Sequence, residues 1–131
     1  MIEVEVFGAQ LARGAPSLAE VRRLCVLAAA SAGVHDGHVA IEFVSSERIR
    51  ALNAEHRGKS AATDVLSFPI DGAESPEVAR ELGDVVICPE LTADLREAIV
   101  HGMLHLVGMD HETDHGEMLA LQRELLAGEQ E

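Results

Sequence analysis

The side chains best placed to do chemistry are three histidines in one eleven-residue run, His101-Gly-Met-Leu-His105-Leu-Val-Gly108-Met-Asp110-His111, at H-x3-H-x5-H spacing. On a helix, residues four apart stand about 40° apart around the axis and about 6 Å along it. His101 and His105 can therefore converge on one ion from a single face. Gly108 suits the left-handed residue that ends a helix, and a reversal after it brings His111 in as a third imidazole. Three neutral imidazoles with an open position are the ligand set of a catalytic zinc site, whereas structural zinc is usually closed by four protein ligands. A histidine pair alone would read as ordinary core or surface. The third histidine, the intervening glycine and the adjacent Asp110 together point to metal, expected as one Zn2+ per chain. Three imidazoles also suit nickel, copper and iron.

The run overlaps the H-E-x-x-H-x-x-G-x-x-H signature of metzincin proteases at every ligand and at the glycine. It departs where those proteases carry the glutamate that serves as general base: here that position is Gly102. Glycine cannot accept a proton, so peptide hydrolysis by that route is disfavoured while the ligand geometry is kept. The proton must go elsewhere. Asp110 is a candidate for proton transfer, or for orienting a ligand histidine as outer carboxylates commonly do. Asp114 and His115 are further candidates that read equally as exposed helix residues.

A second cluster is His56-Arg57-Gly58-Lys59, three basic or potentially basic side chains in a chain with 23 acidic and 10 basic residues and a net charge of −13. Such acidity opposes general nucleic-acid binding, which draws affinity from neutralising phosphates. An RNA substrate would therefore depend on a local patch and on the metal. Arg57 offers the planar fork that fits phosphate, with Lys59 and His56 as substrate-binding candidates beside it. The same side chains are equally suited to ion pairs with surface carboxylates.

These groups must be positioned by a small fold. At 131 residues, 47% hydrophobic and without Trp or Tyr, the chain reads as one domain, 1–131, whose core is built from Leu, Val, Ile and Ala. No stretch is long and apolar enough to span a membrane. The Met-Ile-Glu-Val-Glu-Val-Phe start lacks a signal-peptide pattern, so a cytoplasmic location is expected. Cys25 and Cys88 lack C-x-x-C spacing and read as buried small hydrophobes; a disulfide would be unexpected in a reducing compartment.

Ile2 to Phe7 alternates as a strand does. Leu18 to Ala32 is expected to be helical, with Ser17 as cap and Gly33 as stop. Val39 to Val44 reads as a second strand, followed by a helix from Ser45 or Ser46 to about His56. Asp64 to Ile70 is a third strand, with Pro69 tolerable only near an edge or end. A polar loop holding Pro76 leads to a fourth strand, Gly83 to Cys88. A helix from about Thr92 to Leu106 carries His101 and His105, its apolar stripe being Leu95, Ala98, Ile99, Met103 and Leu106. Glu112 to Ala127 is a last helix, amphipathic through Met118, Leu121, Leu125 and Leu126. The expected architecture is α+β: a small mixed sheet of about four strands packed against helices, one of them a zinc-bearing helix of zincin-like type.

Asn53-Ala-Glu-His-Arg57, Thr63-Asp-Val-Leu-Ser-Phe68, Leu82-Gly-Asp-Val-Val-Ile-Cys-Pro89 and the histidine run, in that order, resemble the YbeY family of bacterial endoribonucleases. The resemblance covers nearly the whole chain. It implies a zinc-dependent, single-strand-specific endoribonuclease acting in ribosomal RNA maturation, notably at the small-subunit 3′ end, and in ribosome quality control. It implies ribosomal RNA and the small subunit or its assembly factors as partners. His101, His105 and His111 match the family's metal ligands and Arg57 its functionally important arginine. The chain departs from the family pattern at Met109 and His56, where tyrosine is usual, and in a segment between Cys88 and His101 about ten residues shorter than expected.

The mechanism that follows is hydrolysis of an RNA phosphodiester. Zinc would bring the pKa of a bound water toward neutrality and polarise a phosphoryl oxygen, with Arg57 clamping another. Either water or the RNA 2′-hydroxyl serves as nucleophile in this scheme. The rival readings are a metalloprotease-like hydrolase with an unusual base, and a non-catalytic ribosome assembly factor stiffened by zinc.

Overall fold

The computed structural model describes residues 2–12, 16–57, 65–69, 81–108 and 116–129, with backbone alone at 56, 57, 66, 68, 69, 81, 128 and 129. Four strands, β1 (Ile2–Phe7), β2 (Gly37–Phe43), β3 (Val65–Pro69) and β4 (Glu81–Ile87), form one sheet in the order β1-β2-β4-β3. β1, β2 and β4 run parallel, and β3 pairs antiparallel with β4. The helices are α1 (Leu18–Ser31), α2 (Ser46–Arg57), α3 (Leu95–Leu106) and α4 (Glu117–Glu129). The α+β expectation and the element order stand, with short 3₁₀ turns added at Ala9–Leu11 and Pro89–Leu91.

Successive strand residues face opposite sides of a sheet, and β4 uses both. Val85 and Ile87 point into the main core with Val39, Ile41, Leu24, Ile99, Met103 and Met118. Val86 and the following Cys88 meet Ile49 and Leu52 of α2 on the other side. The sheet therefore separates α1, α3 and α4 from α2. In β1 and β2 the inward residues alternate with half-exposed ones, as the sequence pattern requires. Pro69 is the last residue of β3, the sheet's edge strand, where proline is tolerated.

The helix ends follow local chemistry. Ser17 caps α1 by accepting from the Glu20 N–H at 3.2 Å, and Ser45 caps α2 by accepting from the Arg48 N–H at 3.1 Å. Gly33, at φ 78°, stands just beyond the end of α1 as its expected stop. Two starts lie later than the periodicity suggests. α3 begins at Leu95 rather than Thr92, because Pro89–Leu91 forms a separate 3₁₀ turn and Asp94 takes the cap position. α4 begins at Glu117, directly after Gly116 in a positive-φ conformation that a helix cannot include. The loop holding Pro76, and residues 109–115, lie outside the described residues.

Both cysteines are fully buried and free. Burial pushes the Cys25 thiol up to about 12, because a thiolate in apolar surroundings loses its hydration. Among the described residues no helix is long and apolar enough to cross a membrane.

Candidate metal centre

The site is built on α3. Its N-terminus is held by Asp94, whose Oδ1 accepts from the backbone N–H groups of Arg96 and Glu97 at 3.0 and 3.2 Å. The inward face buries Ala98, Ile99, Val100, Gly102, Met103, Leu104 and Leu106. The helix is also tied sideways to α1, where the Arg96 guanidinium pairs with Glu20. It ends where expected: the Gly108 N–H donates to the His105 carbonyl at 3.0 Å and Gly108 takes φ 103°.

On this rod His101 and His105 stand side by side, both partly buried, with ring centroids 4.8 Å apart and planes inclined at 73°. Their i, i+4 spacing thus delivers two imidazoles to one place. His101 Nδ1 lies 2.9 Å from Oε1 of Gln122, a buried residue of α4. An amide oxygen only accepts, so this contact is a hydrogen bond when Nδ1 carries the proton, the form whose lone pair is on Nε2. That is the tautomer a metal-ligating histidine needs, with one nitrogen directed by a protein acceptor and the other left as donor to the ion. The donor chemistry at His101 and His105 accordingly fits two ligands of a metal ion, although the described residues bring no third His, Cys, Asp or Glu to the pair.

Gly102, between the two histidines, has a packing explanation. A Cβ there would stand 2.4 Å from Cγ1 and 3.1 Å from Cγ2 of Val85, and 3.3 Å from Ser67 Oγ. Val85 is fully buried in β4 and cannot swing away. The helix rests its backbone on the sheet at this point, and Ser67 Oγ of β3 donates to the Gly102 carbonyl at 3.0 Å. A glutamate at 102 would be driven into the core. The position that supplies the base in metzincins supplies close helix–sheet contact here.

Beside His101 lies an open cleft of about 380 Å³, walled by Val65, Leu91, Ala98 and Leu119, with Thr92, Glu97 and Gln122 also lining it. Its size is that of a small-molecule or single-residue subsite. His56 and Arg57 belong to the last turn of α2, a helix on the opposite side of the sheet from α3, and both helices contact β3. His111, Asp110, Asp114, His115 and Lys59 lie outside the described residues. Among the described residues, then, the structure brings together His101 and His105 of the sequence-derived site.

The sequence reading missed Gln122 and Ser67. Gln122 had a usable signal: it is an amide one position from the apolar stripe of Met118, Leu121 and Leu125, and so sits near a buried face. Ser67 had none, because a serine in a strand reads as a neutral spacer until its neighbour is known.

The family model described as Endoribonuclease YbeY matches residues 17–129. The chain belongs to the YbeY family. An endoribonuclease YbeY from Geobacillus kaustophilus (strain HTA426) is 41% identical, the match covering 86% of each chain. The Bacillus subtilis (strain 168) YbeY is 38% identical over 83% of each. The solution structure of TM1509 from Thermotoga maritima is similar in fold, with a TM-score of 0.56 and 25% identity, over 98% of this chain and 89% of that one. The Geobacillus alignment runs over 138 positions, more than the 131 residues of this chain, so that YbeY relative carries residues this chain lacks. Here a single 3₁₀ turn, Pro89–Leu91, is the only helical structure between β4 and α3.

Proposed function

We propose that this YbeY-family endoribonuclease is a single domain, 1–131, that cleaves single-stranded ribosomal RNA through a zinc ion held by His101, His105 and His111. The observation that carries the metal reading is the pair of α3 imidazoles, 4.8 Å apart, one of them with Nδ1 fixed on Gln122. A zinc ion so held supplies Lewis acidity, which polarises a phosphoryl oxygen and acidifies water.

The chain's own side chains complete the reaction. Arg57 binds a non-bridging oxygen of the scissile phosphate and stabilises charge that develops on it. Lys59 and His56 extend that contact along the backbone. Asp110, adjacent to His111, orients a ligand histidine or takes the proton that Gly102 cannot. The setting is maturation of the small-subunit ribosomal RNA 3′ end and ribosome quality control, in the cytoplasm, with the small subunit or its assembly factors as partners. With a net charge of −13 and few basic groups to neutralise phosphates, affinity for bare RNA is weak, so the ribosomal partner supplies part of the docking. A protease reading is disfavoured because the carboxylate it needs has no room at 102.

The test is cleavage of a single-stranded ribosomal 3′-end RNA by zinc-loaded protein, beside His111→Ala prepared identically. Cleavage by the wild type alone supports the proposal, and equal activity in both overturns it. Arg57→Ala should keep its zinc and its melting temperature while losing cleavage by about 100-fold. Undiminished cleavage there would remove Arg57 from the mechanism.

A further inference from the structure

We infer that Gln122 is the positioning residue of the metal centre: it holds His101 in the Nδ1-protonated tautomer and thereby makes α4 part of the site. The inference rests on the reading of His101, His105 and His111 as zinc ligands. It goes beyond that reading by assigning a function to a residue twenty-one positions from His101, on a different helix.

Three observations converge on Gln122. It is 6% exposed, one of two buried polar side chains among the described residues. It lies beside the face of α4 that packs Met118, Leu121, Leu125 and Leu126 into the core, a place where an unbonded amide would be costly. Its Oε1 is 2.9 Å from Nδ1 of His101, within hydrogen-bonding distance. A leucine would fill that volume and suit the stripe better, so packing alone does not account for the amide. What an amide adds is an acceptor at one ring nitrogen.

The consequence is chemical. A neutral imidazole has one N–H, and placing it on Nδ1 leaves Nε2 as the coordinating nitrogen. Without the acceptor the ring loses the contact that favours its proton on Nδ1. Zinc binding would then have to select the tautomer as well as form the bond. Removing such an outer partner typically weakens metal binding by about 10–100-fold. The coupling is reciprocal: zinc on Nε2 makes the Nδ1 proton a stronger donor, which tightens the hold of α3 on α4.

The decisive experiment compares the full-length wild type with Gln122→Leu and Gln122→Glu. Long-range nitrogen–proton NMR on metal-free protein reads the His101 tautomer, and a chelator competition reads zinc affinity. The wild type should show His101 protonated on Nδ1. In Gln122→Leu, which keeps the apolar volume, the Nε2-protonated form should appear and zinc affinity should fall about 10–100-fold. Gln122→Glu retains an acceptor at the same place and should keep the tautomer and bind zinc no more weakly than the wild type. A wild-type ring protonated on Nε2 overturns the assignment, as does a leucine variant with unchanged tautomer and affinity. A wild type that binds no zinc at all sinks the zinc reading, whereas the tautomer in metal-free protein judges Gln122 independently of it.

Discussion

Helices α1 and α3 pack on the same face of the sheet and against each other, and their inward residues differ in a telling way. α1 buries Val21, Leu24, Cys25, Ala28 and Ala29, an unbroken apolar stripe. α3 buries an equally apolar set but interrupts it with Gly102 and holds His101 and His105 half-buried at its margin. Where α1 meets the core through side chains, α3 at Gly102 meets it through its backbone, against Val85 and Ser67. Both helices are anchored by caps and joined by the Arg96–Glu20 ion pair. The lesson is that a reactive helix can use the same burial physics as a structural one, provided the reactive residues keep to the edge of the buried stripe.

The comparison can be broken most sharply at His105. Because it sits at the margin and not in the stripe, His105→Ala should abolish zinc binding and cleavage together, by more than about 100-fold, with little change in melting temperature. A variant that unfolds instead would make His105 a core residue like those of α1. Zinc content, RNA cleavage and a thermal melt distinguish these outcomes.

Gly102→Ala comes next. Alanine should gain about 1 kcal/mol from helix propensity, yet overpacking against a buried valine costs about 1–3 kcal/mol. At 2.4 Å from Val85 Cγ1 the steric cost should win, lowering the melting temperature by a few degrees. Adding Val85→Ala to that variant should be less damaging than the two single changes predict. A rise in stability for Gly102→Ala would refute the close contact of helix and sheet.

Cys25 tests the inertness of α1. Its thiol is raised from 9.0 to about 12 by burial, so between those values the folded chain keeps a proton that the unfolded chain has released. Stability should therefore be unaffected below pH 9 and fall above it, by up to about 1.4 kcal/mol per pH unit. Denaturant titrations from pH 8 to 10 check this, and Cys25→Ala should flatten the slope. The smallest effect belongs to the caps. Asp94→Ala should cost about 1 kcal/mol and Ser17→Ala somewhat less, since Asp94 accepts from two N–H groups and Ser17 from one. Equal losses would mean that the second Asp94 bond contributes nothing.

Much of the frame was legible from local pattern. Alternation in β1, the serine before α1, the glycine after α3 and the edge placement of Pro69 are each decided within a few residues, where sequence and backbone geometry correspond directly. Element starts were less legible. Thr92 looks helical by periodicity, but Asp94 is the better cap, and competition between neighbouring caps is settled by the tertiary path of the chain from β4.

The same division applies to the site. That His101 and His105 share a helix face, and that Gly108 closes the helix, follows from the 3.6-residue period and from glycine's freedom at positive φ; the sequence by itself determined both. That Gly102 had to lack a side chain, and that His101 would find its acceptor in Gln122, was decided only by the tertiary structure. Those contacts join α3 to β4, β3 and α4 across 17, 35 and 21 residues. No local periodicity encodes them, because their distances are set by how closely one packed layer approaches another.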